Sequence, residues 1–164
     1  MSQIESLTDF LTENMPPRAM HQFVSEIQDA TLPPAAKALG LGQRRLGIFR
    51  YNAALSWGRF PFRECPPALV YALLYAWIEQ YRNPLYDEMR LGAPDVDIEF
   101  DDEMTGSLSI VIELADEVTV IEDPEGPIPI GNKRYRLANP DIWTAKRGWM
   151  YAAGSTGAPL GDVP

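Results

Sequence analysis

The chain has 164 residues, 46% of them hydrophobic and 23% charged, which suits one globular domain and leaves too little length for two. Its single cysteine, Cys65, and its single histidine, His21, exclude an internal disulfide and a His/Cys zinc site. The net charge of −9 disfavours non-specific binding to nucleic acid, which depends on contacts between basic side chains and phosphates.

The first quarter of the chain predicts short helical pieces broken by prolines. Ser2 and Glu5 have the spacing of a capping box, and apolar residues follow at helical intervals: Ile4, Leu7, Phe10 and Leu11. After Pro16-Pro17, the apolar residues Phe23, Val24 and Ile27 predict further helical turns, which end before Pro33-Pro34. We expect residues 1–43 to be a helical segment that packs on the core or extends from it.

The sequence contains no targeting signal and no candidate membrane span. The first 14 residues carry Glu5, Asp9 and Glu13, where a secretory signal would have a basic head and an apolar core. The longest uncharged run, Cys65 to Ile78, is shorter than the roughly 20 residues that a membrane helix needs. We therefore expect a soluble protein made in the cytoplasm.

A strand and then a helix are predicted in the middle of the chain. Apolar residues alternate with polar or small ones from Phe49 to Trp57, which is typical of a half-buried strand that ends at Gly58. Pro66-Pro67 then begin a helix that ends at Asn83-Pro84. One wide apolar stripe marks this helix: Val70, Leu73, Leu74, Trp77, Ile78 and Tyr81. We expect it to lie on the sheet.

The third quarter predicts a β-hairpin followed by further extended chain. Apolar positions alternate in residues 96–100 and again in residues 108–114, with a turn at Thr105-Gly106 between them. Val118 and Val120 continue the extended chain, and Lys133 to Leu137 form a last short strand. The element order indicates an α+β fold, a mostly antiparallel sheet packed by a long helix on one face. Residues 44–138 would be this core domain, and residues 139–164 a C-terminal arm.

No pattern in the sequence supports a catalytic, metal or cofactor site. Gly40-Leu41-Gly42 lacks the Lys-Ser/Thr of a phosphate-binding loop. Cys65 precedes a helix N-terminus, which can lower a thiol pKa, but no second catalytic signature accompanies it. His21 has no nucleophile paired with it by motif. A small soluble hydrolase or ligand-binding domain that uses Cys65 or His21 is the alternative to a non-enzymatic protein.

Charge is distributed unevenly along the chain. Twelve carboxylates and no Lys or Arg occur between Asp95 and Glu125, whereas residues 126–164 contain two carboxylates and five basic residues: Lys133, Arg134, Arg136, Lys146 and Arg147. An acidic face and a basic face suit head-to-tail association of identical subunits. The alternative is that both faces are solvated surface.

The acidic residues 95–101 are candidates for a subunit or partner interface. Strand alternation places four carboxylates on one face, about 7 Å apart: Asp95, Asp97, Glu99 and Asp101. Their repulsion can be relieved by a cation, by basic side chains of another copy, or by water and salt, but the spacing is too extended for a calcium cage. We hypothesise that these four carboxylates, and likewise Lys133, Arg134 and Arg136, lie at a subunit or partner interface.

The C-terminal arm is a second candidate interface. Large apolar groups occur there in a stretch too irregular and Gly-rich to build its own core: Ile142, Trp143, Trp149, Met150 and Tyr151. Aromatic side chains with Met and Arg are favoured at buried interface centres. We hypothesise that Trp143, Trp149 and Tyr151 dock on a neighbouring subunit or partner protein, with Lys146 and Arg147 meeting carboxylates there. The alternative is that the tryptophans fold back onto their own sheet.

Several segments together resemble the R-type tail completion proteins of contractile-tailed temperate phages. The resemblance covers roughly residues 20 to 140. Its segments are Phe49-Arg50-Tyr51, Pro66-Pro67-Ala68-Leu69-Val70 with Trp77, Ile110-Val111-Ile112-Glu113-Leu114, and Glu117-Val118-Thr119-Val120. These are structural patterns, and no catalytic residue carries over from the family.

The resemblance implies a tail terminator. Such proteins form a six-fold ring on the finished end of the tail tube, stop its polymerisation and present a surface to the head-tail connector. The implied partners are further copies of the chain, the tail tube protein and the connector, with the sheath protein as a further candidate. Genomic DNA would pass through the lumen without specific binding. The chain would be assembled in the host cytoplasm and reside in the virion at the tail-neck junction. Another neck or tail component of similar fold is the alternative.

Overall fold

The computed structural model describes residues 2–102 and 104–138, which form one antiparallel sheet with three α-helices. The helices are α1 (Gln3–Asn14), α2 (Pro67–Tyr81) and α3 (Leu85–Glu88), with a 3-10 helix at Pro17–Met20. The strands are β1 (Phe23–Thr31), β2 (Pro34–Gly40), β3 (Gln43–Phe60), β4 (Asp95–Phe100), β5 (Gly106–Glu122), β6 (Ile128–Ile130) and β7 (Lys133–Leu137).

The two longest strands, β3 and β5, pair along almost their whole length and divide the sheet into two halves. One half, which we call the helix-covered half, is formed by β1, β4, residues 50–57 of β3 and residues 106–114 of β5. The open half consists of β2, β6, β7, residues 43–47 of β3 and residues 117–122 of β5. Within the described sheet, only β3 and β5 therefore run through both halves.

The main core lies between the helix-covered half and the helices α1 and α2. Ser2 caps α1, since its side chain accepts a hydrogen bond from the Glu5 N–H and the Glu5 side chain accepts one from the Ser2 N–H. The helices bury their apolar sides against one face of the sheet: Ile4, Leu7 and Leu11 from α1, with Val70, Leu74 and Trp77 from α2. Trp57 is fully buried there, 4.9 Å from the Phe23 ring.

A second, smaller cluster lies on the other face of the sheet. Ile48 and Ala115 point away from the main core. Strand side chains alternate between the two faces, and the main core contains Leu114, next to Ala115, and Tyr51, three residues after Ile48. Residues of α3 and the following loop pack on Ile48 and Ala115. Asn83, just before α3, donates its amide Nδ2 to the Ala115 carbonyl at 2.8 Å, on a stretch of β5 that neither β4 nor β7 covers.

Most of the predicted elements and the fold class are confirmed. The α+β architecture with an antiparallel sheet is present, as are the strand from Phe49 to Trp57, the helix after Pro66, the hairpin and the last strand. A long helix as the sole cover of one face is not confirmed, because α2 has 15 residues and shares the face with α1. The division of the chain at residues 43 and 138 stays a prediction.

The predicted helical turns between Phe23 and Ile27 are wrong, because these residues belong to β1. Phe23 pairs with Trp57 and Ser25 with Leu55, so every second residue of β1 faces the main core. Ser25 hides this period of two in the sequence because it is a polar residue at a buried position. Its hydroxyl accepts a hydrogen bond from Thr8, which makes the burial possible. Residues 34–40, which begin within the predicted break at Pro33-Pro34, form β2, and β6 lies in a Pro- and Gly-rich stretch where no strand was predicted.

Candidate interaction surfaces

The predicted acidic strand is an edge of the sheet. Asp95, Asp97 and Glu99 pair with Val111, Ser109 and Ser107 of β5 and share one exposed face. None of the three carboxylates has a salt bridge to a described residue. We call this set the acidic edge. An edge strand with charged side chains resists non-selective strand pairing and favours a partner of opposite charge.

Asp101 and Asp102 continue the acidic run and shape the turn between β4 and β5. Asp101 follows the strand, and its N–H donates to the Thr105 carbonyl. The Asp102 carboxylate accepts hydrogen bonds from the N–H groups of Met104 and Thr105, at 2.6 and 2.8 Å. These backbone bonds, the one from Met104 first, lower the pKa of Asp102. Asp102 therefore has a structural role in the turn.

Farther along β5, the acidic run is paired within the chain. The structure couples five of its carboxylates to side chains of other strands: Glu113 to Arg50, Asp116 to Tyr51, Glu117 to Arg45, Glu122 to Lys133, and Asp123 to Arg136. Sequence alone suggested a single acidic face of twelve carboxylates. The exposed acidic surface is smaller, and its centre is the acidic edge.

The predicted basic residues of β7 lie at the opposite end of β5. β7 pairs with residues 120–122, whereas the acidic edge pairs with residues 107–111. Lys133 contacts Glu122 at 2.6 Å, Arg136 contacts Asp123 at 3.6 Å, and Arg134 donates its Nε to the Gly126 carbonyl. The structure therefore does not bring the predicted basic and acidic residues together within one chain. Trp143, Lys146, Arg147, Trp149 and Tyr151 lie outside the described residues.

An apolar groove of about 330 Å³ runs between α2 and the chain leading into β4. Tyr71, Leu74, Tyr75 and Ile78 of α2 form one wall, and Pro94 and Val96 belong to the other. Tyr75 is 72% exposed and Val96 45% exposed. The sequence placed Leu74 and Ile78 in the apolar stripe of the helix and Val96 in the hairpin, but it did not show that the two elements leave an open groove between them.

Arg45 forms a buried ionic junction that sequence reasoning missed. Its guanidinium, 6% exposed, contacts Glu88 at 2.9 Å and Glu117 at 3.2 Å, and it donates Nε to the Ala35 carbonyl at 2.8 Å. The hydrogen bond from Arg45 lowers the pKa of Glu88. One side chain thus ties β2, β3, β5 and α3 together. No local signal distinguishes Arg45 from Arg44, because its partners are up to 72 residues away.

A second missed group lies where α1 meets the sheet. The buried Asp116 carboxylate accepts hydrogen bonds from the Tyr51 hydroxyl at 2.7 Å and from the Gln3 N–H at 3.0 Å. Tyr51 in turn accepts one from the Ile4 N–H at 3.2 Å. Burial raises the pKa values of both Asp116 and Tyr51. A carboxylate at a helix N-terminus interacts favourably with the helix dipole, so this network anchors α1.

The two residues considered for catalysis lie in different environments. Cys65 is buried just before α2, and burial raises its thiol pKa, which disfavours the reactive thiolate. His21 is exposed at the end of the 3-10 helix. Within residues 2–102 and 104–138, no three His, Cys, Asp or Glu side chains converge as metal ligands. No helix in the same part of the chain is long and apolar enough to cross a membrane.

Comparisons with known proteins place these features in a family. The family model of the P2 phage tail completion protein R (GpR) matches residues 1–140. The chain is also 27% identical over 142 residues to an uncharacterized 19.2 kDa protein from the rep-hol intergenic region of Haemophilus phage HP1 (strain HP1c1). That match covers 87% of this chain and 85% of the phage protein. No solved structure matches the chain significantly. Because the family model spans both core clusters and all seven described strands, the chain belongs to the phage tail completion protein R family, a family of structural tail proteins.

Proposed function

We propose that this tail completion protein is a tail terminator, acting as a ring of six copies at the tail-neck junction of the virion. The ring caps the tail tube and joins the tail to the head connector. Its partners are the tail tube protein, the sheath protein and the connector. The role needs binding surfaces and no catalytic group, in keeping with a family of structural tail proteins.

The observation that carries the ring proposal is the separation of charge along β5. The acidic edge lies beside residues 107–111, and the basic strand β7 lies beside residues 120–122. Opposite charges held apart on one rigid sheet attract each other between copies and not within one copy. Two different surfaces that meet in this head-to-tail manner generate a closed ring when the rotation between copies closes.

The net charge of the chain supports the passage of genomic DNA through such a ring. The chain has 23 acidic residues against 14 Lys and Arg, which gives the net charge of −9. Affinity for DNA comes mainly from neutralising phosphates with Lys and Arg. The ring therefore lets DNA pass without binding it specifically.

Light scattering on the purified full-length chain tests the ring. Six copies of the 18.4 kDa chain give a particle of about 110 kDa. Asp97→Lys reverses a charge at the centre of the acidic edge and should shift the mass toward that of the monomer. Asp9→Lys makes the same charge change on the exposed side of α1 and should leave the mass unchanged.

Electron microscopy of phage particles made without the protein tests the role in the tail. The expected result is full heads separate from tails whose lengths are irregular. Joined virions with tails of normal length would overturn the terminator assignment. A monomer at every concentration, together with normal particles from the Asp97→Lys phage, would overturn the ring.

A further inference from the structure

We propose that the groove between α2 and β4, together with the acidic edge, is the receptor for the C-terminal segment 139–164 of a neighbouring copy. This inference rests on the proposed ring and names the contact that links its members. Three features of the molecule carry it: the shape of the groove, the free edge of β4, and the chemistry of the segment.

The groove offers apolar contact area that the described chain does not use. Its α2 wall alternates tyrosine rings with aliphatic side chains, and Tyr75 projects into solvent at its rim. A volume near 330 Å³ is at the lower end of the range for pockets that hold a compact ligand. Aromatic side chains are well suited to such a site, since one ring fills it at a small cost in side-chain entropy.

The second feature is the strand that borders the groove. β4 pairs with β5 on one side only, so its other backbone edge is free among the described residues. Val96 faces the groove side, while Asp95 and Asp97 face the opposite side. A peptide that adds to this edge would place alternate residues in an apolar and an acidic environment.

The aromatic residues and Lys146 of the C-terminal segment have the complementary alternation, whereas Arg147 and Met150 depart from it. Odd-numbered positions carry Trp143, Trp149 and Tyr151, and the even-numbered position 146 carries a lysine. Lys146 and Arg147 lie midway between the two tryptophans, with no carboxylate from residue 142 to residue 161. Aromatic groups can therefore enter the groove while a cation meets the acidic edge. Lys146 and Arg147 add two cations to those of β7, where Lys133 and Arg136 also contact Glu122 and Asp123 of their own chain.

Chain length favours a groove on a neighbouring copy. The Ala138 N–H bonds the Thr119 carbonyl, whereas Val96 pairs with Ile110, so the groove lies nine residues back along β5, roughly 30 Å. Trp143 follows Ala138 by five residues, which reach at most about 17 Å. Trp149 follows Ala138 by eleven residues, which reach at most about 38 Å, so within one copy Trp149 can reach the groove but Trp143 cannot. A neighbouring copy in a ring removes this restriction.

Photo-cross-linking of the full-length protein tests the inference. A photoreactive p-benzoylphenylalanine replaces Trp149, and equal amounts of ¹⁴N-labelled and ¹⁵N-labelled chains are mixed from the unassembled state before irradiation. The expected result is cross-links to α2 or β4 peptides, including pairs of mixed isotope. Cross-links in same-isotope pairs only would show that the segment occupies its own groove and would overturn the inference, as would cross-links elsewhere.

Two variants with matched controls sharpen the test. Tyr75→Glu places a charge at the groove rim and should reduce the mixed-isotope cross-link about tenfold, whereas Ala72→Glu, exposed on α2 outside the groove, should keep it. Asp97→Lys should also reduce it, and Asp9→Lys should not. Light scattering on the same samples separates the two proposals: a ring without cross-links in the groove overturns this inference alone, and the absence of any oligomer counts against the ring.

Discussion

The two halves of the sheet share the same long strands but are held together by different forces. In the helix-covered half, β3 and β5 form one wall of a core that includes Trp57, Trp77 and Tyr51, all buried. Ala35 of the open half packs against the second cluster, which has only four buried members, and Arg45 joins the strands of the open half through ions and hydrogen bonds. The two halves share the pairing of β3 with β5, so they differ in what packs against these strands. We expect the helix-covered half to carry most of the folding free energy, because most of the buried apolar side chains lie there.

The largest difference should come from emptying the main core. Trp57→Ala removes a fully buried ring that contacts Phe23 and Phe60, and the expected loss is about 3–5 kcal/mol of unfolding free energy. Chemical denaturation followed by far-UV circular dichroism measures it. Tyr135→Ala, a nearly buried ring in the open half, should cost about 2 kcal/mol. Equal losses would show that the two halves contribute alike.

A smaller and local effect should follow from removing the ionic junction. Arg45→Met leaves Glu88 and Glu117 without their shared cation and frees the Ala35 carbonyl of β2. We expect hydrogen exchange to accelerate in β2 and in residues 117–122 of β5, while amides near Ala53 and Ile110 keep their protection.

Arg44→Met is the matched control for the junction. Arg44 is adjacent in sequence but lies over the Tyr135 ring, at 5.9 Å from its centroid. Its substitution should leave exchange in β2 nearly unchanged. The stabilisation of the folded state by the contact between Arg45 and Glu88 also depends on pH, because the pKa of Glu88 is lowered. This stabilisation is present above the ordinary carboxyl pKa and is lost as pH falls through the lowered value. Equal exchange rates in the two variants would contradict the role of Arg45.

The smallest effect concerns the pH dependence of the α1 anchor. Burial raises the pKa of Asp116 in the folded state, so ionising this group costs stability as pH rises through the raised value. Asp116→Asn removes the titration. The unfolding free energy of the unmodified chain, relative to that of the variant, should therefore increase as pH falls through this range. Urea denaturation of both chains between pH 4 and 7 checks the sign, and a constant difference would contradict it.

The sequence predicted those parts of the fold in which apolar periodicity and local breakers agree. α2 combines a proline start, an apolar stripe and an Asn-Pro end, and the β4–β5 hairpin combines two alternating runs with a Thr-Gly turn. In β1, tertiary context overrode the local pattern, because Ser25 is buried through its bond with Thr8 and the strand is otherwise largely polar. Burial of Ser25 depends on α1, which no window around β1 contains.

The candidate surfaces were predictable only in part, for the same reason. The acidic edge follows from alternation within one strand. Asp95, Asp97 and Glu99 share an exposed face as predicted, whereas Asp101 lies beyond the end of the strand. The pairing of Glu113, Glu117 and Glu122 with basic residues depends on the register between distant strands. The groove depends on how α2 sits relative to the chain before β4, a distance that no sequence pattern encodes. Its role, like that of the acidic edge, stays a prediction.

The long pairing of β3 with β5 also sets the order in which the chain can fold during synthesis. Its partners are 46 residues apart at Phe60 and Gly106 and 78 residues apart at Gln43 and Ile121. β1 and β2 can pair with β3 early, since they precede it directly, but the other edge of β3 stays bare until β5 has emerged from the ribosome. During that interval β3 has paired strands along one edge only. The carboxylates that precede β5 then bring charge next to this long apolar strand pair.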